Sequence, residues 1–354
     1  MGGTLSGETL KVPQQFKTIQ KAMERAGAGD TVLVSAGIYA GTVSLKKGVR
    51  LKSAGNDEPG YLGLKRAEAT ILDLKKAAVP QGVLMKEGSI LDGFSVRNFG
   101  EFDVRKWEND YETQGNLQEE HQLGRQGRAA ILVPGVACTV SNNIVCLNGF
   151  SGILIQGKSE QGGPPVIGRN YCFRNMGAGI SLVKGSEAKV VENRAFENLV
   201  AGIGQNNAHP QLVGNLCYGN VRAGIGISNG SSPLVRENVC FFNRRAGIGV
   251  RTGGGTRPLI EGNSCFANAM AGIGSREGAR PLILENNCYQ NGLAGIGSRD
   301  HARPVILRTG AAGIKWLASE TRTGWNRSWQ VICARKIEPR ESVLWRPHPV
   351  SLCF

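Results

Sequence analysis

The chain has 354 residues, a formal net charge of +14 at pH 7 and 50 glycines, while aromatic residues make up only 6% of it. This length suffices for one long solenoid, and the glycine-rich, aromatic-poor composition favours tight turns and argues against a globular α/β core. The sequence contains no run of 18 apolar residues that would predict a membrane-spanning helix, and its first residues lack the charged-then-apolar pattern of a signal peptide. We therefore expect a soluble protein, cytoplasmic as written and secreted if the start is truncated.

The first predicted element is an amphipathic helix in the N-terminal segment, residues 1–30. Phe16, Ile19, Met23 and Ala26 fall on one helical face. Such a face suits a cap that covers the open end of a solenoid. We expect the repeating domain itself to occupy residues 31–308.

An insertion at residues 99–128 interrupts the repeating pattern. The unit that ends at Asn98 is followed by its next strand only at Ala129, whereas later units make this turn in three residues. Long loops in compact domains are usually functional or disordered, and acidic, basic and imidazole side chains are the groups used in acid–base chemistry. The candidate catalytic residues of this loop are Asp103, Asp110, His121 and Arg125. Two interpretations stay open, a substrate loop of an enzyme and a surface flap.

From Ala129 to Arg308 the sequence repeats about every 23 residues. Each unit has two asparagines five residues apart, and a small residue followed by Gly-Ile comes three residues after the second. The first asparagines are Asn143, Asn170, Asn193, Asn215, Asn238, Asn263 and Asn286. The second are Asn148, Asn175, Asn198, Asn220, Asn243, Asn268 and Asn291. Short alternating apolar runs between turn residues predict three strands per unit, and therefore one coil of a right-handed parallel β-helix.

Equivalent residues of successive coils lie about 4.8 Å apart in such a fold, so like residues stack in columns. One predicted core column is Val140, Ile167, Val190, Leu212, Val235, Ile260, Ile283 and Ile306. A second is Ile153, Ile180, Ile203, Ile225, Ile248, Ile273 and Ile296. A third is Val145, Cys172, Ala195, Cys217, Cys240, Cys265 and Cys288. Because most cysteines occupy this inward column and CxxC is absent from the sequence, we expect free thiols, no metal and no other cofactor.

Two further columns are expected near the corners of the coils. The aromatic column is Phe173, Phe196, Tyr218, Phe241, Phe266 and Tyr289. The asparagines are predicted to adopt the left-handed turn conformation and to hydrogen-bond to their counterparts in the coils above and below.

The Ala-Gly-Ile-Gly strands predict a flat surface. If alanine and isoleucine point inward, both glycines point outward and leave a stripe without side chains. The arginines beside it, which we predict to bind substrate, are Arg251, Arg257, Arg276, Arg280, Arg299 and Arg303. Guanidinium groups bind carboxylates well, so the stripe is predicted to hold an extended acidic polysaccharide.

Other interpretations of this surface remain. Glycine can simply keep the sheet flat while arginine keeps the protein soluble, or the stripe can dock a protein partner or a second copy of the chain. Nucleic acid is a weaker candidate, because outward aromatics at base-stacking spacing are not evident on this face.

The residues after Arg308 break the pattern. Thr309 and Ile314 stand where asparagines are due, and four of the five tryptophans crowd into the remaining residues. Reading each codon one base out of phase permits the repeat to continue in register. We therefore hypothesise that residues 309–354 follow a frameshift and are poorly ordered.

The asparagine-glycine-isoleucine repeat and the N-terminal helix together resemble the pectin-lyase-like superfamily, and specifically its carbohydrate-binding and sugar-hydrolase (CASH) branch. The resemblance covers roughly residues 10–308 and implies a right-handed parallel β-helix. Its enzymes attack acidic sugars with clusters of carboxylates, but Asp300 is the one aspartate between Ala129 and Arg308. We expect polysaccharide binding first. The alternatives are a lyase, hydrolase or epimerase that uses the 99–128 loop, and a protein-interaction scaffold similar to the β-helix of F-box proteins.

Overall fold

The computed structural model describes residues 7–75, 81–113, 128–311 and 314–316. These residues form a parallel β-solenoid whose strands belong to three sheets of 12, 11 and 11 strands, here called sheets A, B and C. The first strand, Thr9–Val12, belongs to sheet A, and from Thr31–Val34 onward the chain visits A, B and C in turn, so each new coil adds one strand to each sheet. The predicted fold is confirmed.

The strands are short, and most of those in sheets A and B have three residues. Sheet A contains Thr9–Val12, Thr31–Val34, Arg50–Ser53, Ile90–Asp92, Thr139–Ser141, Val166–Gly168, Lys189–Val191, Gln211–Val213, Leu234–Arg236, Leu259–Glu261, Leu282–Leu284 and Val305–Leu307. Sheet B contains Gly37–Ala40, Thr70–Asp73, Ser95–Arg97, Ile144–Cys146, Tyr171–Phe173, Arg194–Phe196, Leu216–Tyr218, Val239–Phe241, Ser264–Phe266, Asn287–Tyr289 and Gly310–Ala311. Sheet C contains Val43–Ser44, Gln81–Leu84, Ala129–Val133, Ser151–Gln156, Ile180–Ser186, Ile203–Ala208, Ile225–Ser228, Ile248–Val250, Ala271–Ser275, Ala294–Ser298 and Ile314–Trp316.

The core consists of the stacked columns that the repeat predicts. In sheet C, Ile248 pairs with Ile273 and Ile273 with Ile296, and in sheet B Cys240 pairs with Cys265. These side chains are at most 1% exposed. The aromatic column lies on the outer side of sheet B, where neighbouring rings stack with centroids 4.7 to 5.1 Å apart. The pairing of equivalent residues in successive coils therefore determines which side chains fill the core and which stack on the outer surface.

The asparagines form two continuous ladders inside the corners. Asn220, for example, donates through Nδ2 to Asn243 Oδ1 at 3.0 Å and to the Ala195 carbonyl at 3.0 Å. Its own Oδ1 accepts the Asn198 backbone N–H at 3.1 Å. Each such bond contributes about 0.5 to 1.5 kcal/mol, and the predicted coil-to-coil bonding is confirmed.

The left-handed conformation, however, belongs to the residue before each ladder asparagine, so the prediction for the asparagines themselves was wrong. Glu192 has φ 55° before Asn193, and Phe242 has φ 51° before Asn243. The physical reason is that the asparagine side chain must point inward to reach its neighbours, so the corner is made one residue earlier. Glycine takes this position at 214, 219 and 262.

Three helices lie outside the sheets in the described part of the chain. Helix α1, Ile19–Arg25, buries Ile19, Ala22 and Met23 against the first coils, as predicted for the N-terminal cap, and a strand of sheet A precedes it. Helix α2 is Lys65–Ala69 and helix α3 is Val104–Thr113.

Helix α2 carries a buried ion-pair network in the early coils. The guanidinium of Arg66, only 1% exposed, donates to Asp92 Oδ1 at 2.7 Å and to Asp57 Oδ1 at 2.5 Å. Asp92 also accepts Asn142 Nδ2 at 2.7 Å. The network ties the segment that contains α2 to two successive coils.

The last described coil continues past Arg308. Thr309 occupies the next position of the first asparagine ladder, and residues 310–311 and 314–316 pair with the preceding coil. The frameshift hypothesis stays a prediction, because most of the stretch that it concerns lies outside the described residues.

Candidate polyanion-binding face

The outer face of sheet C carries a smooth stripe, but its composition differs from the prediction. A Cβ added to Gly204 would lie 3.7 and 3.8 Å from the Cβ atoms of Ala178 and Ala201, so alanine and the second glycine lie on the same, outer side of the sheet. The alanines of this column are nevertheless largely covered, with 4 to 9% of their surface exposed. A Cβ added to Gly224 would meet Asn243 Nδ2 and the Gly247 carbonyl, both at 2.8 Å, so the first glycine faces inward. The expectation that both glycines point outward was therefore wrong.

The physical reason lies at the corner that precedes the strand. The side chain of the second ladder asparagine fills the space into which a Cβ of the first glycine would project. Glycine is required there because of this close approach, and the strand begins strict alternation only afterwards. We call the outer columns the Ala/Gly strip: Ala178, Ala201, Ala223, Ala246, Ala271 and Ala294, with Gly204, Gly226, Gly249, Gly274 and Gly297.

The trailing edge of the Ala/Gly strip is formed by Arg251, Arg276 and Arg299. They occupy equivalent positions, since the backbone N–H of Arg276 donates to Val250 O and that of Arg299 to Ser275 O. Arg276 Nε lies 3.1 Å from Glu277 Oε1, and Arg299 Nε lies 3.5 Å from Asp300 Oδ2. Each of these two pairs is about one-third to one-half exposed, so the pairing is weak.

The other three predicted arginines lie on the far side of the turn. Arg257, Arg280 and Arg303 each precede the proline that leads into sheet A, and all three are exposed. The Nε of Arg257 donates to the Gly254 carbonyl at 2.7 Å. The structure thus divides the six predicted arginines into two columns, of which one borders the Ala/Gly strip.

The leading edge of the Ala/Gly strip contains Arg245, which the sequence analysis missed. Burial lowers the pKa of Arg245, and the positive charges of Arg276 and Arg251 lower it further. Arg245 therefore lies near Arg251 and Arg276, although it comes from the opposite edge of the strip. The dipeptide Arg244-Arg245 directly before Ala246 was the available signal in the sequence.

The insertion places helix α3 beside this leading edge. Trp107 packs with Met176, Leu199 and Val221 at the corner between sheets B and C. Tyr111 donates its hydroxyl to the Gly219 carbonyl at 2.9 Å, and the guanidinium of Arg244 lies 4.3 Å from the centre of its ring. Burial raises the pKa of Tyr111, so this phenol is a neutral structural contact. Helix α3 thus forms a wall along the early coils of the strip.

The two candidate aspartates of the insertion stabilise helix α3. Asp103 is exposed and accepts the Lys106 backbone N–H at 3.0 Å, which caps the start of α3. Asp110 is buried and forms an ion pair with Lys106, which lies one helical turn earlier. His121 and Arg125 lie outside the described residues. Within the described ranges, no three His, Cys, Asp or Glu side chains are grouped to hold a metal ion.

The seven cysteines in the described ranges are buried and unbonded. Burial raises the pKa of Cys138 and of Cys146 to about 12. Low-pKa thiolates are the reactive form of cysteine, so Cys138 and Cys146 act as core residues. The helices that the structure describes are all too short or too polar to cross a membrane.

Comparison with known proteins agrees with this architecture. The family model of the right-handed beta helix region matches residues 128–273 and 218–312, which together span more than half of the chain. The chain belongs to this right-handed β-helix family. No curated protein matches it, and membership of the CASH branch stays a prediction.

Several solved structures share the fold. The A-module of the mannuronan C-5 epimerase AlgE4 of Azotobacter vinelandii is 17% identical, with a TM-score of 0.54 over 90% of this chain and 87% of that one. The Dettilon tailspike protein is 16% identical, with a TM-score of 0.56 over 87% of this chain and 68% of that one. Tailspike protein 2 of Escherichia coli O157:H7 bacteriophage CAB120 is 11% identical, with a TM-score of 0.55 over 84% of this chain and 43% of that one. At these identities the likeness is one of fold.

Proposed function

We propose that this protein binds an extended acidic polysaccharide along the Ala/Gly strip. The observation that carries the proposal is the column of Arg251, Arg276 and Arg299 along one edge of the Ala/Gly strip, with Arg245 on the opposite edge. Between these edges the outward residues of the strip are alanine and glycine from Ala201 to Gly297. Crowded guanidinium groups repel one another, and a bound anion offsets that repulsion. A polymer that carries a carboxylate on each sugar supplies such anions at regular intervals.

The shape of the strip suits a chain that runs along the solenoid axis. Equivalent residues recur at about 4.8 Å from coil to coil, so a polymer lying on the strip meets Arg251, Arg276 and Arg299 in succession. Planar guanidinium forks bind carboxylates in two-point fashion. One of the proteins with a similar fold, the Azotobacter epimerase, is named for an acidic polysaccharide, which supports this class of ligand.

Charge reversal tests the proposal with a matched control in the same coils. The variant Arg276→Glu/Arg299→Glu changes the trailing edge of the strip, and Arg280→Glu/Arg303→Glu makes the same change on the far side of the turn. We expect the first to weaken binding of mannuronan, polygalacturonate or heparin at least about tenfold, by about 1.4 kcal/mol or more. We expect the second to weaken it much less, because those side chains border sheet A. Calorimetry at low and moderate salt measures both, and equal losses would contradict the assignment to the strip.

Catalysis has a specific point in its favour, namely that helix α3 borders the strip. Of the candidate catalytic residues described there, Asp103 caps the helix and Asp110 pairs with Lys106, which is why we propose binding ahead of catalysis. Incubation with uronate polymers, with and without Ca²⁺, followed by detection of unsaturated ends, reducing ends and epimerised sugars, separates the two. Turnover above that of a heat-denatured control would show that the protein is an enzyme and would contradict the proposal of binding alone.

A further inference from the structure

The outer face of sheet A changes from polar to apolar along the solenoid. Its first outward column consists of residues that pair from coil to coil, namely Arg50, Ile90, Thr139, Val166, Lys189, Gln211, Leu234, Leu259, Leu282 and Val305. The early positions are mixed, whereas the last four are all aliphatic. In the last two coils the second outward column is also aliphatic, since Leu284 pairs with Leu307. We call Leu259, Leu282, Leu284, Val305 and Leu307 the apolar patch.

The apolar patch is open to solvent in the described part of the chain. Leu282 is 37% and Val305 53% exposed, and these two of the six exposed large apolar side chains pair directly with each other. The described helices pack elsewhere: α1 lies on the first coils, α2 on sheet B, and α3 on the corner between sheets B and C. Because the core does not require leucine on the outer face, a contiguous apolar surface of this kind marks an interaction site.

The backbone under the apolar patch suits the packing of one sheet on another. Leu259–Glu261, Leu282–Leu284 and Val305–Leu307 have the same length and pair in register without a bulge. Two such faces pack about 10 Å apart, with their side chains interdigitated. Rows of aliphatic side chains on a regular sheet are the surface that this packing requires.

The two edges of the apolar patch differ in charge. Arg257, Arg280 and Arg303 precede the three strands by two residues, and all three are exposed. The opposite edge has carboxylates, because Glu261 ends its strand and Glu285 directly follows the next one. The face is therefore complementary to itself when it is turned so that the arginine edge meets the glutamate edge.

The glutamates already have partners in their own chain. Glu285 Oε1 lies 3.4 Å from Arg308 Nε, and Glu261 Oε2 lies 2.6 Å from Arg236 Nη2. The side chains of Glu285 and Arg308 are 52% and 78% exposed, so their pairing is weak. A carboxylate has two oxygens and accepts several hydrogen bonds, so both glutamates can also accept a guanidinium from a second copy.

We infer that the apolar patch is the interface of a homodimer in which a second copy of this chain packs on sheet A with its solenoid pointing in the same direction. A two-fold axis parallel to the solenoid brings the arginine edge of each copy onto the glutamate edge of the other. An axis along the strands would instead place arginine against arginine. Two-fold homodimers are the commonest soluble oligomers. The Ala/Gly strip belongs to sheet C and stays outside this interface, so the inference does not rest on the proposed function.

Sedimentation velocity of the full chain without polysaccharide, over about a hundredfold range of concentration from micromolar upward, tests the association by mass action. We expect a monomer–dimer equilibrium. Leu282→Ser/Val305→Ser should weaken it at least about tenfold, because the variant removes exposed apolar surface from the interface. Leu293→Ser is the matched control: Leu293 is 44% exposed but lies at the corner between sheets B and C. It should change the dimer affinity by less than about twofold, with folding of each variant verified by thermal melting.

A charge swap tests the orientation of the two copies. Arg280→Glu/Arg303→Glu and Glu261→Lys/Glu285→Lys each place like charges against each other in the parallel dimer, and each should weaken it about tenfold or more. An equimolar mixture of the two variants should form dimers again, because an acidic edge then faces a basic edge at both contacts. If Arg280→Glu/Arg303→Glu alone dimerises as well as the unmodified protein, the parallel arrangement is wrong.

Two further results would overturn the inference. One is an unmodified protein that stays monomeric at every concentration, and in that case a lower melting temperature of Leu282→Ser/Val305→Ser would show that another part of the same chain covers the apolar patch. The other is a dimer that Leu282→Ser/Val305→Ser leaves intact. Because polymer binding is measured separately, failure of the dimer leaves the proposed function untouched, and failure of polymer binding leaves the dimer untouched.

Discussion

The first asparagine ladder ends on a threonine: the backbone N–H of Asn286 donates to Oγ1 of Thr309 at 3.3 Å. In every other described coil of this ladder from Asn143 onward, the acceptor is the side-chain oxygen of another asparagine, 2.9 to 3.1 Å away. Thr309 is buried and also donates to the Leu307 carbonyl at 3.1 Å. A threonine hydroxyl is shorter than a carboxamide, so it accepts the Asn286 N–H at a longer distance.

Thr309→Asn is therefore expected to stabilise the protein. The new side chain restores the bond between amide groups at the end of the ladder, which contributes about 0.5 to 1.5 kcal/mol. Denaturant unfolding measures the gain in the free energy of unfolding. Asn291, which ends the second ladder in the described coils, gives the comparison, because Asn291→Thr should cost a similar amount. A loss of stability in Thr309→Asn would contradict the view that this position belongs to the ladder.

Alanine substitutions in the two glycine columns of sheet C should have different effects on stability. Gly224→Ala places a Cβ 2.8 Å from Asn243 Nδ2 and from the Gly247 carbonyl, which forces the ladder or the neighbouring coil to shift. We expect a loss of about 1 to 3 kcal/mol or more. Gly226→Ala has Ala201 Cβ at 3.6 Å as its nearest neighbour, an ordinary contact, and is expected to stay within about 1 kcal/mol of wild type. Melting temperatures of the two variants check the assignment of inner and outer columns.

The buried guanidinium of Arg66 makes its two carboxylate partners unequal. Asp92 is 15% exposed and also accepts from Asn142, whereas Asp57 is 69% exposed. Asp92→Ala leaves a buried charge without its main partner and should cost about 3 to 5 kcal/mol. Asp57→Ala removes an exposed partner that water replaces, at a cost of about 1 kcal/mol or less. Similar losses in the two variants, measured by urea unfolding, would show that the network is not buried as described.

The cysteines of the core should resist labelling in the folded protein. Burial raises the pKa of Cys138 and Cys146 to about 12, so both remain protonated thiols well above neutral pH. In a Cys333→Ser/Cys353→Ser background we expect Ellman's reagent to label native protein slowly at pH of about 8 to 9, where free thiols ionise. Urea should release all seven remaining thiols. Rapid native labelling of any of them would contradict their burial.

The repeat determines most of this fold, because a spacing of five between asparagines allows only one register. Ile273 and Cys265 could be assigned to core columns from sequence, since a one-residue slip would expose the whole column. The directions of Gly224 and of the residue before each asparagine could not be assigned. They depend on how a carboxamide fills the corner, which is a contact between successive coils and leaves no periodic signature of its own.

The candidate site was predictable only in part. Arg251, Arg276 and Arg299 follow the strip in sequence and were found, whereas Arg245 precedes it and reaches the same surface from the opposite edge. Helix α3 lies far from the strip in sequence, and its contacts with Val221 and Gly219 link residues about a hundred positions apart. Whether these arginines bind the polymer as proposed stays a prediction.

The coil-to-coil identity of the ladders has an evolutionary corollary. A tandem duplication of one unit, such as residues 246–270, would insert a complete extra rung whose asparagines, isoleucine and cysteine meet partners of the same kind above and below. A gene lengthened in this manner needs no new core packing, because the added coil repeats contacts that already exist. Each added coil would also add one arginine to the trailing edge of the Ala/Gly strip. The number of repeat units thus determines how long a stretch of polymer such a surface can contact.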